Sequence, residues 1–414
     1  MHRFILVTLA LLAVAVCSAP YLNQKVLCVT EDEFTLKEYL AEFDKYDITV
    51  SLPEDVSDLY SYSHVLLLAN DADSFGSYSV EDFVKFFDKG GNLMIAGGEE
   101  TSDFIFDLAN ELGVQMSTSI ISSPNYFAGN FDDDDMPEKT WVVAQPEDVF
   151  AFPVGLTDTV QLPFLHYGSG FFVEDNRINL VIPPEGSIDV EEEDEVDSLM
   201  VAFQGRNSAR LVLIGSQKVL TDNIYNAEVR ETATDMNKMR PWAGNSNKYY
   251  TVQITKWLLH EVGVVQMNGK PVYDERVYIV GEEMDYTVNM RTWNDAKNEW
   301  EPICLSDMQL SIRMVDPFIR KTMTCKGGAH NLVTKLPDRY GVFTMEVDYE
   351  HVGLTNVRHT DEVVIRSLPH THFMRFIKVA YPYYAVVIAC MIAVICVFCL
   401  TLGHLQTEKK KKVE

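Results

Sequence analysis

The residues best placed to carry out chemistry follow the apolar run Leu93 to Ala96, which is typical of a buried strand. The next five residues, GGEET from Gly97 to Thr101, lie where a parallel sheet binds its ligands, beyond the carboxyl end of a strand. Glycines there would let a phosphate approach the backbone, but Glu99 and Glu100 would repel it. The G-x-G-x-x-G and P-loop spacings are absent, and no cysteine or serine occupies a strand-to-helix elbow of the hydrolase or amidotransferase type. The sequence therefore predicts neither a phosphate loop nor a nucleophile at this position.

Two histidines and two acidic blocks are the other candidates for chemistry in the first half of the chain. His64 opens an apolar run, and His166 has no serine or cysteine partner that the sequence assigns. The acidic blocks are Asp132 to Asp135 and DVEEEDEVD, Asp189 to Asp197. Their carboxylates can bind calcium weakly, but both blocks lack the spaced ligands and the glycine turn of a calcium loop. We therefore expect solvated acidic loops, and we predict no catalytic residue, no cofactor and no metal site.

Cysteine usage leaves room for one disulfide. Four of the seven cysteines lie in the two apolar ends of the chain, so that Cys28, Cys304 and Cys325 remain. Cys304 and Cys325 are close in sequence and can form a disulfide, whereas Cys28 lies within an apolar strand and is predicted to be a buried thiol.

The last apolar stretch predicts a membrane span. Tyr383 to Leu402 holds twenty residues without a formal charge, and a helix of that length, at ~1.5 Å per residue, crosses the ~30 Å hydrocarbon core of a bilayer. A buried core helix is the alternative, but such a helix usually keeps a polar stripe. We place the transmembrane helix at 381–405, with the rings of Tyr381, Tyr383 and Tyr384 at the membrane interface.

The two ends of the chain predict its orientation. Residues 1–19 have a basic start, an apolar core and small residues before a cleavage point, as in a secretory signal peptide. Residues 406–414 form a basic tail that the positive-inside rule assigns to the cytosol, so we expect a single-pass type I protein whose bulk is luminal. Lys411 and Lys412 fit a dilysine signal for retrieval to the endoplasmic reticulum. A run of lysines that only stops transfer is the alternative for this tail.

The net charge excludes one class of partner. The chain carries a formal charge of −27, and the predicted luminal body is more acidic still because both ends of the chain are basic. Since no basic stripe is present to neutralise phosphates, we exclude nucleic acid as a partner.

Strand and helix patterns alternate in residues 20–262. Apolar runs are followed by helical patterns with capping residues, as where Ser79 precedes a helix that Gly90-Gly91 ends. Strands that are apolar throughout are typical of a parallel sheet covered by helices on both faces. We therefore predict a luminal α/β domain with a Rossmann-like parallel sheet, in which the acidic loops are insertions. Near its end, Arg210 to Ile214 is predicted to pair with the preceding run across the turn QGRNS, and Tyr250 to Val262 is predicted to be a helix.

The pattern changes in residues 263–380. Short runs such as MDYTVNMRTW and GVFTMEVDY alternate apolar and polar residues, and no helical pattern separates them. We therefore predict an all-β region, a β-sandwich, which leads into the transmembrane helix without a flexible spacer and lies close to the membrane.

Four motifs carry a resemblance to a known family. They are QGRNSARLVLIGS (Gln204 to Ser216), VDPFIRK (Val315 to Lys321), LPDRYGVFTMEVDY (Leu336 to Tyr349) and AYPYYA (Ala380 to Ala385). In these motifs the chain resembles the 48 kDa subunit family of the eukaryotic oligosaccharyltransferase, which includes the yeast wheat-germ-agglutinin-binding protein. The resemblance runs in order along the chain and is looser between Asn110 and Leu199.

The resemblance implies a non-catalytic, structural subunit of a hetero-oligomeric complex in the endoplasmic reticulum membrane. That complex transfers a preassembled oligosaccharide from dolichyl diphosphate to asparagine in nascent proteins. The partners implied are the catalytic polytopic subunit, ribophorin I, ribophorin II and the defender-against-cell-death subunit. An amidotransferase-like fold without the cysteine nucleophile is implied for the first domain. The resemblance brings no catalytic residue to this chain, whereas Lys411 and Lys412 match the tail signal of the family.

Two other functions stay open on the sequence. A type I membrane receptor or adhesion protein would use the sandwich as a binding module and would reach the cell surface. A membrane-anchored hydrolase or glycosidase would use two luminal carboxylates ~5 to 10 Å apart, and 61 acidic residues do not reveal which pair that would be.

Overall fold

A computed structural model describes residues 24–31, 33–124, 141–150, 162–173, 178–191, 193–227, 229, 244–295, 297–373 and 378–411. The predicted signal peptide, the acidic block Asp132 to Asp135 and Lys412 lie outside the described residues.

The first region, up to Val262, combines short strands and helices. Its strands are β1 (Lys25–Val29), β2 (Asp47–Ser51), β3 (His64–Leu67), β4 (Asn92–Ala96), β5 (Gln115–Met116), β6 (Ile121–Ser122), β7 (Val142–Ala144), β8 (Phe164–His166), β9 (Phe171–Phe172), β10 (Ile178–Val181), β11 (Ile188–Asp189), β12 (Met200–Gln204) and β13 (Arg210–Ile214). Its α-helices are α1 (Lys37–Ala41), α2 (Val80–Asp88), α3 (Asp103–Glu111), α4 (Asp222–Tyr225) and α5 (Asn247–Leu258). Turns of 3₁₀-helix lie at Glu33–Leu36, Pro53–Asp55, Leu59–Ser61 and Gln217–Leu220.

Seven of these strands form one sheet, in the order β10-β12-β13-β4-β3-β1-β2. The pairs β1–β2, β1–β3, β3–β4 and β4–β13 are parallel, and β12 and β10 are added antiparallel at one edge. The predicted pairing across the turn QGRNS is confirmed, because β12 and β13 form an antiparallel hairpin around it.

Helices cover both faces of this sheet because its strands are apolar on both sides. Successive strand residues face opposite ways, so Cys28 packs in a cluster with Tyr39 of α1 and Trp257 of α5, while Val29 packs with Phe83 of α2 on the other face. Ser79 precedes the first residue of α2, as the sequence predicts, and forms a capping box with Asp82.

The second region, from Val265, is built from strands. They are β14 (Val265–Met267), β15 (Tyr278–Ile279), β16 (Glu283–Asn294), β17 (Glu299–Pro302), β18 (Gln309–Arg313), β19 (Pro317–Thr322), β20 (Thr324–Lys326), β21 (Ala329–Lys335), β22 (Gly341–Tyr349) and β23 (Val357–Arg366). One sheet has the order β14-β16-β21-β20 with β17 paired to β16, and another has the order β15-β23-β22-β18-β19. Buried residues alternate along the longer strands, as at Met284, Tyr286 and Val288 of β16. Two 3₁₀ turns, His370–His372 and Lys378–Ala380, precede the last helix, α6 (Tyr381–Lys411).

The described chain divides into two compact units. One contains the described residues up to Asp274 together with 285–333 and 344–361, so it includes both the seven-stranded sheet and most of the second region. The other contains 275–284, 334–343 and the residues from Glu362 onward, including α6. Among the described residues one helix, Lys378–Leu405, is long and apolar enough to cross a membrane, with a mean hydropathy of 3.0.

Candidate functional site

The carboxyl edge of the seven-stranded sheet, where β3, β4 and β13 end, is where an enzyme of this architecture would hold its ligand. Residues 168–170 cross this edge. The Ser169 N–H lies 3.2 Å from the carbonyl oxygen of Gly98 and 3.0 Å from that of Gly215, and the Ser169 hydroxyl donates to the Gly215 carbonyl at 3.0 Å. The backbone of the chain itself therefore occupies the ends of β4 and β13.

Glycines make this close packing of segments feasible. A side chain at Gly97 would collide with Met116, and a side chain at Gly215 would collide with the carbonyl oxygen of Ser169. Gly168 has a φ of +148°, which favours glycine, and a side chain there would lie 2.6 Å from the carbonyl oxygen of Gly215. The glycines of the turn GGEET thus serve contacts within the protein.

The rest of the turn GGEET is held by Asn70, which follows β3. The Asn70 side-chain amide donates to the Glu100 carbonyl at 2.7 Å, and the Ser102 N–H donates to the Asn70 carbonyl at 2.9 Å. The exposed Glu99 carboxylate lies 3.4 Å from the Lys218 ammonium. Glu99 and Glu100 are exposed, and the repulsion of a phosphate at this turn stays a prediction.

His166, the second candidate histidine, is buried in β8. Its Nε2–H donates to the carbonyl oxygen of Ser169 at 2.9 Å, while the Ser169 hydroxyl is directed to Gly215. Burial lowers the pKa of His166 to about 4, so this imidazole is neutral at physiological pH. His166 therefore forms no serine–histidine pair within the part of the chain that the structure describes.

A continuous chain of hydrogen bonds lines the opposite, amino edge of the same sheet. Gln24, His64, Asn92 and Arg210 stand just before or at the first residues of β1, β3, β4 and β13. His64 donates from Nε2 to Gln24 Oε1 at 2.5 Å and accepts at Nδ1 from Asn92 Nδ2 at 2.9 Å. Asn92 Oδ1 accepts the Arg210 backbone N–H at 2.8 Å, and Asn92 Nδ2 also donates to the Leu258 carbonyl at 2.8 Å. The amide of Asn92 is therefore saturated by partners from three elements.

Arg210 carries a fully buried guanidinium that is paired with carbonyl oxygens. It donates to the Trp257 carbonyl, to the Val262 carbonyl at 2.8 Å and to the Gly263 carbonyl at 2.9 Å. Its guanidinium carbon lies 4.6 Å above the Trp257 ring. A cation is stabilised at the carbonyl end of a helix. The sequence predicts a helix that continues to Val262, but α5 ends at Leu258, where Arg210 binds the carbonyl oxygens.

The segment after α5 is joined to the loop before β23 by contacts that need a glycine. Gly263 has a φ of +72°, and a side chain there would collide with the carbonyl oxygen of Gly353. That same Gly353 oxygen accepts the Trp257 indole N–H at 2.8 Å. The Thr355 N–H donates to the Gly263 carbonyl at 3.0 Å, and the Thr355 hydroxyl bonds to Val265. We call Arg210, Trp257, Gly263, Gly353 and Thr355 the joint, because they connect the α/β region to the strand region.

The turn QGRNS, part of the first motif of the family resemblance, adds to the joint. The Gln204 amide donates to the Leu354 carbonyl at 2.5 Å. In return, the Asn356 amide donates to the Gly205 carbonyl at 3.1 Å, and the Asn356 N–H donates to the Ser208 hydroxyl at 3.2 Å. This motif therefore holds two regions of the chain together.

The amino-edge network combines the Arg210 cation with two imidazoles that burial keeps neutral. Burial, and then the Arg210 charge, lower the pKa of His64 to about 3. Burial, Arg210 and His64 likewise hold the pKa of His260 well below its usual value, and His260 Nε2 lies 3.3 Å from Asn92 Oδ1. Burial lowers the pKa of Arg210 to about 9, so Arg210 remains charged at neutral pH. These polar groups satisfy one another, which is what a structural network requires.

The structure places four of the five predicted membrane-interface and retrieval residues on the last helix. Tyr381, Tyr383 and Tyr384 lie in the first turn of α6 and are exposed. Lys411 is the last residue of α6, and Lys412 lies outside the described residues. The roles of these five residues at the membrane interface and in retrieval stay predictions.

Cys304 and Cys325 are joined by a disulfide, with their Cα atoms 5.6 Å apart. The bond connects the segment after β17 to β20. Cys28 is buried in β1.

Most described acidic residues of the second block are exposed, as expected of a solvated loop, and Asp189 is the exception. Asp189 is fully buried, and its carboxylate accepts the Ser119 hydroxyl at 2.6 Å, the Ser119 N–H at 3.1 Å and the Glu191 N–H at 2.8 Å. Asp197 accepts the Val173 N–H at 2.9 Å. The described residues contain no group of three histidine, cysteine or acidic side chains arranged to hold a metal ion.

Sequence reasoning missed Arg210 and Asn92, the centre of the amino-edge network. One signal was present in the sequence: each polar residue opens a run that is otherwise apolar, RLVLI for β13 and NLMIA for β4. A strand buried on both faces tolerates such a residue only when its polar groups find partners.

Comparison with known proteins covers nearly the whole chain. Residues 19–261 match the family model of the OST48 N-terminal domain, and residues 265–404 match that of the OST48 middle domain. The Danio rerio 48 kDa subunit of dolichyl-diphosphooligosaccharide–protein glycosyltransferase is 29% identical over 374 residues, which is 85% of this chain and 82% of the relative. The proteins of that name from Drosophila melanogaster and Caenorhabditis elegans are 27% and 28% identical, over 97% and 84% of this chain and 96% and 82% of the relatives.

Proposed function

The chain belongs to the OST48 family, and from that membership we propose that it acts as the 48 kDa structural subunit of the oligosaccharyltransferase complex. The complex transfers a preassembled glycan from dolichyl diphosphate to asparagine in Asn-x-Ser/Thr sites of nascent proteins in the endoplasmic reticulum. The observation that carries this proposal is the match of both family domains in order along one chain. Neither family match favours a receptor or adhesion protein.

The second part of the proposal is that this subunit does not itself catalyse the transfer. Backbone atoms of residues 168–170 occupy the carboxyl ends of β4 and β13. His166 is bonded to a carbonyl oxygen rather than to a hydroxyl. Both observations support a scaffold that positions a catalytic subunit.

The third part concerns fold and orientation. We infer a Rossmann-like, amidotransferase-like first domain from the parallel order β4-β3-β1-β2, and a β-sandwich from the two sheets of the strand region. We infer a single-pass type I orientation in the endoplasmic reticulum membrane, with the bulk of the chain luminal, from the basic residues that follow the apolar helix.

Affinity isolation of the tagged full chain from endoplasmic reticulum membranes in mild detergent tests the proposal. We expect the catalytic polytopic subunit, ribophorin I, ribophorin II and the defender-against-cell-death subunit to be recovered with it. Recovery of the chain without any of these proteins, from membranes in which they are present, would refute the proposed function.

A further inference from the structure

One end of the sheet β15-β23-β22-β18-β19 is formed by segments that belong to the same compact unit as α6. β15 pairs in parallel with the end of β23, where Ile279 lies opposite Arg366. The turn before β22 lies here too, because the Leu336 N–H donates to the Glu282 carbonyl at 2.8 Å. The link between β22 and β23, residues 350–356, is too short for a parallel crossover, so the start of β22 lies beside the end of β23. The chain leaves the sheet at this end before it enters α6.

The part of the compact unit outside α6 exposes apolar side chains. Tyr340, in the turn before β22, is 72% exposed, and Val342 in β22 is 52% exposed. Val364 in β23 is exposed, and so are Leu368 and Phe373 in the segment that leads to α6. Single exposed apolar residues are ordinary, but a group of them in one small compact unit marks an interaction surface. We call these five residues the apolar end.

The same unit is nearly neutral in a strongly acidic protein. In its segments 275–284, 334–343 and 362–380, six basic residues accompany five acidic ones, whereas the whole chain carries −27. After Glu362, every charged residue before α6 is basic. The phosphates of lipid headgroups repel an acidic surface. The unit that carries the apolar end can therefore approach a bilayer more closely than the acidic remainder of the chain.

The last helix indicates which partner fits this surface. Among the described residues only Lys378–Leu405 is long and apolar enough to cross a membrane, and this helix belongs to the same unit as the apolar end. The helix holds the unit near the headgroup layer. Tyrosine prefers that layer, because its ring is apolar and its hydroxyl is polar. Exposed apolar side chains gain free energy when they are buried at the boundary between headgroups and acyl chains.

We propose that the apolar end is a second membrane contact of this chain. Tyr340 and Val342 lie in the headgroup layer of the leaflet that faces the strands, together with Leu368 and Phe373, while α6 crosses the bilayer. Two contacts restrict the tilt of the sheet above the membrane, which one helix alone does not. This inference rests on the membrane span and is independent of the proposed function.

Photo-crosslinking to lipid tests the position of Tyr340. Benzoylphenylalanine replaces Tyr340 in the full chain, which is placed in phosphatidylcholine nanodiscs, and its adducts are identified by mass spectrometry. We expect an adduct with phosphatidylcholine. The control is benzoylphenylalanine at Val352, which is 51% exposed but follows β22 instead of preceding it, and we expect no lipid adduct there. A cross-link from position 340 to a polypeptide in place of lipid, no adduct, or equal lipid adducts at both positions would overturn the proposal.

Thiol labelling measures whether lipid shields the same position from water. Y340C and V352C in nanodiscs react with a membrane-impermeant maleimide, and the labelling of the wild-type chain is subtracted. We expect Y340C to react several-fold more slowly than V352C, although Tyr340 is the more exposed side chain in the protein alone. Equal rates would overturn the second membrane contact and leave the proposed function intact. Isolation of the chain without any other subunit would refute the proposed function and leave both lipid tests valid.

Discussion

The two edges of the seven-stranded sheet differ in how they use polar groups. At the carboxyl edge, backbone atoms of residues 168–170 pack onto glycines, and few buried side chains take part. At the amino edge, Gln24, His64, Asn92 and the backbone N–H of Arg210 form a continuous hydrogen-bonded network, which the Arg210 guanidinium extends into the joint. The edge expected to bind ligands is therefore filled by the chain itself, while the opposite edge connects two regions of the molecule.

Removing the Arg210 guanidinium should be the most damaging change at the amino edge. R210M leaves the carbonyls of Trp257, Val262 and Gly263 without their donor, and we expect a loss of roughly 3 to 5 kcal/mol in the free energy of unfolding. The measurement is urea unfolding of the full chain in detergent. R206M is the control, because Arg206 is exposed and pairs with Glu350 at the surface, so it should cost under ~1 kcal/mol. Equal losses of unfolding free energy for the two variants would show that the bonds of the Arg210 guanidinium contribute nothing to stability.

Two glycines with positive φ allow the cost of a steric collision to be separated from the cost of backbone strain. Gly263 belongs to the joint, and Gly269 does not. Gly263 has a φ of +72° and no room for a side chain, whereas Gly269 has a φ of +80° and open space around it. We expect G269A to cost about 1 kcal/mol of unfolding free energy, from backbone strain alone. G263A should cost about 3 kcal/mol or more, because its methyl group meets a backbone oxygen. G263A should also expose the segment between α5 and β14 to protease. Identical proteolysis of G263A and G269A would contradict a role of Gly263 in holding the joint together.

Lowering the pH should reduce the free energy of unfolding, because the buried His64 at the amino edge resists protonation in the folded state. Its folded pKa is about 3, against 6.5 for an unperturbed histidine, so as pH falls the unfolded state takes up the proton first. The stability is therefore complete above about pH 6.5 and is lost progressively below it, by roughly 2 kcal/mol at about pH 5. His260 contributes with the same sign, so H64Q should remove only part of the pH dependence. Unfolding curves of the wild type and H64Q that fall in parallel from about pH 7.5 to 5 would contradict this assignment.

The smallest effect is expected at the carboxyl edge. H166Q keeps a donor for the Ser169 carbonyl, so the acid–base chemistry of the imidazole is lost while packing is largely kept. Oligosaccharide transfer, normalised to the amount of assembled complex, should stay within about twofold of the wild type. Loss of a general base would lower it by roughly 10² to 10⁴-fold, and that result would mean that this edge takes part in catalysis.

The sequence predicted the elements of the fold better than their connections. Runs such as Leu93 to Ala96 and the capping residue Ser79 act locally, so β4 and α2 could be placed from the pattern alone. The closure of the carboxyl edge could not be predicted, because the glycines that contact residues 168–170 are the same residue type that a phosphate loop needs.

The same limit explains why the end of α5 was predicted too late in the sequence and why the burial of Asp189 was not predicted. The end of α5 depends on Arg210, which lies 47 positions before Trp257 in sequence. The burial of Asp189 depends on Ser119, 70 positions away. Such long-range partners leave no periodic signal in the sequence.

We propose that this chain is a scaffold and that another subunit performs the transfer. It is tested most directly by measuring oligosaccharide transfer from a dolichyl diphosphate donor to an Asn-x-Thr peptide. The complex isolated through the tagged chain and the purified full chain alone are compared at equal amounts of chain. We predict transfer by the complex and none by the chain alone. Transfer by the purified chain without any other subunit would show that the chain is itself catalytic.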